Sequence, residues 1–426
     1  MKLIFDATII AVGANNNSRT GIYFTALNIL KELLAHSSIE LSLYCDSKRY
    51  KDLTLELERL FPENVFEILT NTNSTYLLKK HFELYKYKQE IRYSGKRLKK
   101  IIVQIKLLLI SLLLKLELLC SKFASSSEVQ YDFFLSPIYK IPQIVKKLKV
   151  LNKGIVLYDI VPILFPDLNE ASQKGSWYCK LLETLNSKDY YFAISESTRQ
   201  DFLKYCPQID SEKIKTALLA CDDKFRACSI EEIVKAKLKY NIPMNKKYVF
   251  SLCTLEPRKN LVRSVKTFIE FIKKNNIKDL VFVLGGGHWK VFIDELNKEI
   301  ETLGDYQDKI LKIGYVDDAD LAPLYSGAEW FTYTSQYEGF GLPPLEAMSC
   351  GCPVITSNNS SLPEVVGDAG IMIDWDSDEQ HIEAYEKYYF NKELRNEFSQ
   401  KGLERSKQFS WEKCVNEMLK DFKNDI

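Results

Sequence analysis

Little in this chain of 426 residues points to metal, disulfide or nucleic-acid chemistry. Its 10 cysteines are scattered singly apart from Cys350-Gly-Cys352, and none stands at C-x-x-C spacing. The four histidines, His36, His81, His288 and His381, are isolated from one another. A structural zinc site is therefore not expected, and free thiols in a reducing compartment are. Neither sign of charge dominates, with 58 Lys plus Arg against 57 Asp plus Glu, so no global basic field invites a nucleic acid. No apolar run is clean enough to span a bilayer. The candidate nearest to one, within 95–122, is broken by Lys106, Lys115 and Glu117. The opening residues, Met1-Lys-Leu-Ile-Phe-Asp6, lack the regions of a signal peptide and read as a strand, so a cytoplasmic location is expected.

What is present is alternation. Strands are expected at Lys2–Asp6, Glu40–Cys45, Val65–Leu69, Tyr131–Pro137, Gly154–Pro162 and Tyr190–Ser195. Helical spacing of apolar residues intervenes, first at Thr20–Leu34 behind a loop rich in Gly and Asn. Tyr240–Lys247, with its Pro and polar residues, reads as a linker. Beyond it strands recur at Tyr248–Thr254, Leu280–Gly285, Lys309–Val316, Trp330–Thr334, Pro353–Ser357 and Gly370–Asp374. Such alternation implies α/β architecture with two doubly wound parallel sheets. The expected domains are 1–240, 241–405, and a final helix 406–426 that returns to the first.

The richest stretch runs from Ser335 to Ser357. Gly339 and Gly341 let the backbone turn and approach a ligand closely, and Pro343 and Pro344 suit the first turn of a helix. Gly351 can end that helix before the next strand. A strand–loop–helix unit of this kind is a usual place for a phosphate. Two carboxylates, Glu338 and Glu346, bracket the turn. Upstream, Arg258 and Lys259 sit on the loop after a strand, where a guanidinium fork and an ammonium can neutralise a diphosphate.

The stretch resembles the donor-site signature of the family 4 glycosyltransferases, retaining enzymes of the GT-B fold. The likeness lies in the E-x7-E pair Glu338 and Glu346 with E-G-F-G-L-P between them, then G351-C-P-V-I-T-S and L362-P-E-V-V-G-D-A-G370. T254-L-E-P-R-K-N260 matches the family's diphosphate loop. The resemblance implies two Rossmann-like domains facing a cleft, with the donor on the second and the acceptor on the first. It implies that Glu338, Arg258 and Lys259 are catalytic. It further implies that Glu346, Gly339, Phe340, Gly341, Leu342, Thr254 and Gly21 bind the nucleotide diphosphate sugar, with no metal or other cofactor. For Gly21, a plain helix entry stands beside the ligand role.

On the acceptor side the family's His-Asp is Tyr158-Asp159 here. A tyrosine of ordinary pKa ~10 is a poor base at neutral pH, which puts a histidine-assisted step in doubt. Asp159 reads equally as acceptor ligand or as backbone support. The expected reaction moves a hexose, GDP-mannose-like donors favoured, to a glycan or lipid-linked glycan in surface-polysaccharide assembly. A sugar-phosphate synthase or phosphorylase of the same fold is the alternative. The basic, apolar segment 95–122 reads either as a buried or dimer-interface helix or as one lying on the inner leaflet of the membrane. Oligomeric state stays open.

Overall fold

The computed structural model describes residues 1–14, 20–46, 49–61, 101–106, 108, 109, 112, 130–143, 145–168, 172–287 and 292–422. The strand expected at 65–69, most of 95–122, Arg19 and His288 lie outside the described residues.

The described strands form two six-stranded sheets. The first runs in the order β2-β1-β3-β4-β5-β6, with β1 Lys2–Asp6, β2 Glu40–Tyr44, β3 Gln130–Ser136, β4 Lys149–Leu157, β5 Tyr190–Ala193 and β6 Ile214–Thr216. The second runs β12-β11-β10-β7-β8-β9, with β7 Lys247–Leu252, β8 Leu280–Gly285, β9 Ile310–Gly314, β10 Trp330–Tyr333, β11 Val354–Ser357 and β12 Ile371–Ile373. Every pairing is parallel. Parallel strands are covered on both faces and so need near-continuous apolar runs. β8, Leu-Val-Phe-Val-Leu-Gly, obliges with all of its residues buried. The helix Leu261–Lys274 covers one face with Leu261, Val265, Phe268, Ile269 and Ile272, one stripe at helical spacing.

Two boundaries differ from the sequence reading. β4 begins at Lys149 and stops at Leu157, ahead of Tyr158, whereas Gly154–Pro162 was expected. The chain turns there because Asp159 Oδ1 accepts from Val161 N at 2.9 Å, opening the short helix Val161–Leu164. Pro162 sits in that first turn, where its missing N–H costs least. The crossover between sheets also comes earlier than Tyr240–Lys247. Helix Ile230–Lys239 already packs on Leu321–Ser326 of the second domain, and Cys228 N donates to Ser326 Oγ at 3.1 Å. The final helix is Trp411–Leu419. It packs on Gly21–Ala35, and Phe422 beyond it meets Phe133 with ring centroids 4.3 Å apart.

Candidate active site

The loop after β10 turns back over the loop after β7. Gln336 N donates to Arg258 O at 2.7 Å, and Arg258 Nη1 donates to Tyr337 O at 2.9 Å. This pairing of two strand ends brings three charged side chains together. Lys259 Nζ lies 2.6 Å from Glu338 Oε1, and Arg258 Nη1 lies 3.3 Å from Glu338 Oε2. The Tyr333 hydroxyl holds Lys259 from below at 2.8 Å, while Glu256 takes Arg258 Nε at 2.8 Å. Burial alone would raise the Glu338 carboxyl, but Lys259 and Arg258 overcome it and hold the group at about 2. Burial would likewise lower the Arg258 guanidinium, and Glu338 and Glu256 keep it charged. Glu338 is thus an anion throughout the physiological range, able to accept hydrogen bonds from hydroxyls, beside two cations.

At the other end of the turn Glu346 has the opposite setting. It stands on helix Leu342–Ser349 and accepts from the Tyr325 hydroxyl at 3.0 Å. Burial pushes its carboxyl up to about 7, against the pull of Tyr325 and Lys224. A folded-state value above the ordinary 4.5 favours the protonated folded form. The stability from that preference is full below about 4.5 and is lost as pH rises through about 7. The Tm of Glu346→Gln is therefore expected to gain on wild type by about 2–5 °C between pH 5 and pH 8. Parallel melting curves across that range would contradict the assignment.

The turn itself is pressed against the first domain. A Cβ on Gly339 would lie 2.3 Å from Tyr158 O and 2.8 Å from Asp159 Cβ, so only glycine fits. Gly341 takes φ +125, a conformation that L side chains rarely adopt. Ser195 Oγ and Thr198 Oγ1 both donate to Gly339 O, at 2.7 and 3.0 Å. Glu364, from the second domain, receives Glu196 N and Ser197 N at 2.7 and 2.6 Å, capping the Glu196–Tyr205 helix of the first. The Tyr337 hydroxyl donates to Asp201 Oδ2 at 2.7 Å. The cleft is closed at this point by a set of cross-domain hydrogen bonds.

Most of the residues singled out from the sequence meet here, though not all in the way expected. Glu338, Arg258 and Lys259 form one cluster. Thr254 stands beside it, its hydroxyl tied to Glu256 Oε1 at 3.0 Å. Phe340 is buried with its ring edge-on to Phe409 at 6.0 Å, so it anchors the turn and offers a ligand only backbone. Leu342 opens the helix, but Pro343 and Pro344 carry no N–H, so its first turn offers an anion fewer donors. Gly21 starts its helix with open space where a Cβ would be, so sterics do not demand glycine there. Tyr158 departs most. Its hydroxyl is buried with no hydrogen-bond partner among the described residues, and its titration feels Cys414 of the final helix. Asp159 does face the site: burial raises its carboxyl, and Arg258, Lys259 and Glu338 all act on it. No cross-domain contact is read from the sequence for Ser195, Thr198, Glu364 or the Tyr337–Asp201 pair, although Tyr337 and Glu364 lie within the stretches singled out there. Among the described residues no three His, Cys, Asp or Glu side chains gather to hold a metal.

The family profile described as "Glycosyl transferases group 1" matches residues 233–405. The chain is 32% identical over 267 residues to the O-antigen chain mannosyltransferase B of Escherichia coli, covering 62% of this chain and 68% of that protein. It is 29% identical over 274 residues to the serotype-specific mannosyltransferase WbdA of Escherichia coli, and that match spans 63% of this chain but 33% of the relative. In three dimensions it resembles Anabaena HepE, solved with UDP and glucose, at a TM-score of 0.63 and 14% identity over the whole of both chains. At that identity the structural likeness establishes the two-domain GT-B fold and nothing finer.

Proposed function

We propose, for a chain that belongs to the glycosyl transferases group 1 family, that Glu338, Arg258 and Lys259 carry hexose transfer from a nucleotide diphosphate sugar with retained anomeric configuration. The observation that carries this reading is the three-membered charged cluster at the mouth of the cleft, Lys259 at 2.6 Å and Arg258 at 3.3 Å from one buried carboxylate. Glu338 accepts hexose hydroxyls near the reacting carbon. Lys259 and Arg258 stabilise the charge that grows on the departing diphosphate, in a site already organised before the reaction. Glu346 receives the ribose hydroxyls, and the backbone from Gly339 to Leu342 meets the phosphate or sugar. The cations are side chains, so turnover is expected to persist in a chelator.

The names of the relatives, mannosyltransferases of O-antigen chains among them, favour a mannose donor and an acceptor that is a glycan or lipid-linked glycan of a surface polysaccharide; GDP is the carrier we propose. The test is thermal shift against GDP, UDP, dTDP, CDP and ADP, without metal and then with magnesium. Selective, metal-independent stabilisation by one diphosphate is expected. A flat response to all five would sink the donor site.

Peripheral attachment to the inner leaflet fits the same reading. In the described part of 101–112, Ile101, Ile102, Ile105, Leu108, Leu109 and Leu112 are exposed at 48–74%. Lys96, Arg97, Lys99 and Lys100 precede them in sequence. Among the described residues no helix is long and apolar enough to cross a membrane. An apolar face beside basic residues binds anionic bilayers from one side. The full chain is expected to float with phosphatidylglycerol vesicles and to lose that property with Ile101, Ile105 and Leu108 changed to Ser; unchanged flotation would refute it.

A further inference from the structure

On the first-domain side of the charged cluster lies a cavity of about 320 Å³. Its wall includes Ile22, Val156, Leu181 and Phe202, which make it apolar, and Asp159, which does not. The same Asp159 carboxyl feels Arg258, Glu338 and Lys259, so the cavity and the donor cluster share one residue. Trp177 also lines it and remains 40% exposed, unusual for so large an aromatic side chain. That ring is not loose. It opens helix Trp177–Leu182, whose Ser176 cap accepts from Cys179 N at 3.1 Å. Tyr139 and Tyr178 stand perpendicular to it, at 89° and 88° with centroids 6.2 and 5.6 Å away. The Tyr178 hydroxyl donates to Asp159 O at 3.0 Å, fixing the indole relative to the carboxylate.

We propose that this cavity is an acceptor subsite, that its occupant is a single pyranose, and that Trp177 is the positioning residue that selects it. The proposal rests on the transferase reading above. A pyranose has a face of C–H bonds and an edge of hydroxyls. An immobilised, half-exposed indole suits the first and a buried carboxylate the second. A wholly hydrocarbon occupant would leave the Asp159 carboxyl desolvated with only the Val161 N–H to satisfy it, at a cost. The volume lies at the low end of the ~300–1,000 Å³ of small-molecule pockets, enough for one ring and too small for an oligosaccharide. Bound so, the ring would place a hydroxyl at Asp159, on the side facing Glu338 and the donor.

The test uses the full chain with methyl α-D-mannopyranoside, methyl α-L-rhamnopyranoside and methyl N-acetyl-α-D-glucosaminide, read by saturation-transfer NMR in the presence of the nucleoside diphosphate that stabilises it. At least one glycoside is expected to bind, about 10-fold more weakly to Trp177→Ala and nearly normally to Trp177→Phe, which keeps an aromatic face. Thermal stabilisation by the diphosphate should be the same in all three proteins, which separates a positioning role from a folding defect. Equal glycoside binding by Trp177→Ala and wild type would overturn the proposal. So would no glycoside binding at all, or displacement of the bound glycoside by farnesyl phosphate with no preference for the sugar. A glycoside response without any diphosphate response would support the cavity and sink the donor reading, so the two failures are told apart.

Discussion

Alanine in place of both Arg258 and Lys259 is expected to lower kcat/KM for sugar transfer by about 10³-fold or more. Two effects combine. The departing diphosphate loses its fixed cations, and Glu338 loses both groups that hold its carboxyl at about 2. A buried carboxylate stripped of its partners is costly, about 3–5 kcal/mol where one member of a buried pair is removed. The double variant should therefore also melt earlier than wild type. Adding Glu338→Gln removes the stranded charge, so the triple variant should regain stability without regaining activity. Stability recovered in the triple variant assigns the earlier melting of the double variant to the stranded charge. A double variant that transfers sugar at the wild-type rate would remove the loop from the mechanism.

The second large effect is expected at Gly339. A methyl group there would meet Tyr158 O at 2.3 Å and Asp159 Cβ at 2.8 Å, and the nearest of these atoms is backbone. The strain is relieved only by moving the turn off the first domain, which stretches the Ser195 and Thr198 hydrogen bonds to Gly339 O. A displacement of about 1 Å in a reacting site costs about 10²-fold in rate, so kcat of Gly339→Ala should fall by that order. Nucleoside diphosphate affinity should change much less, because the cations and Glu346 stay on the second domain. Measuring kcat and nucleotide Kd together decides it: wild-type kcat, or a parallel loss in both, would contradict a role in closing the cleft.

The sequence carried the signals that are local. Continuous apolar runs announced β8 and its neighbours, and helical spacing announced the helix at Thr20–Leu34, which the structure places at Gly21–Ala35. The signature around Glu338 was legible because glycines, prolines and carboxylates at fixed spacing have few other uses. What was not legible depends on pairing across the fold. Glu338 and Lys259 are far apart in sequence, and nothing in either segment says that their side chains touch. Ser195 ends an expected strand and caps the next helix, its hydroxyl accepting from Thr198 N at 3.0 Å; that it also donates across the cleft needed the structure. Tyr158 is assigned to the acceptor side only by its match to the family's His-Asp pair; that its hydroxyl is buried without a hydrogen-bond partner among the described residues needed the structure. Trp177, on a short capped helix with no motif around it, gave no sign at all.

The account turns on whether Arg258 and Lys259 hold a diphosphate. The most direct measurement is isothermal titration of the preferred nucleoside diphosphate and of its monophosphate, against wild type and against the Arg258→Ala, Lys259→Ala double variant. Wild type should prefer the diphosphate by about 10-fold or more, and the variant should bind the two nearly alike, because the second phosphate would have lost its charge-assisted partners. A preference that survives intact in the variant would place the diphosphate elsewhere and contradict the account.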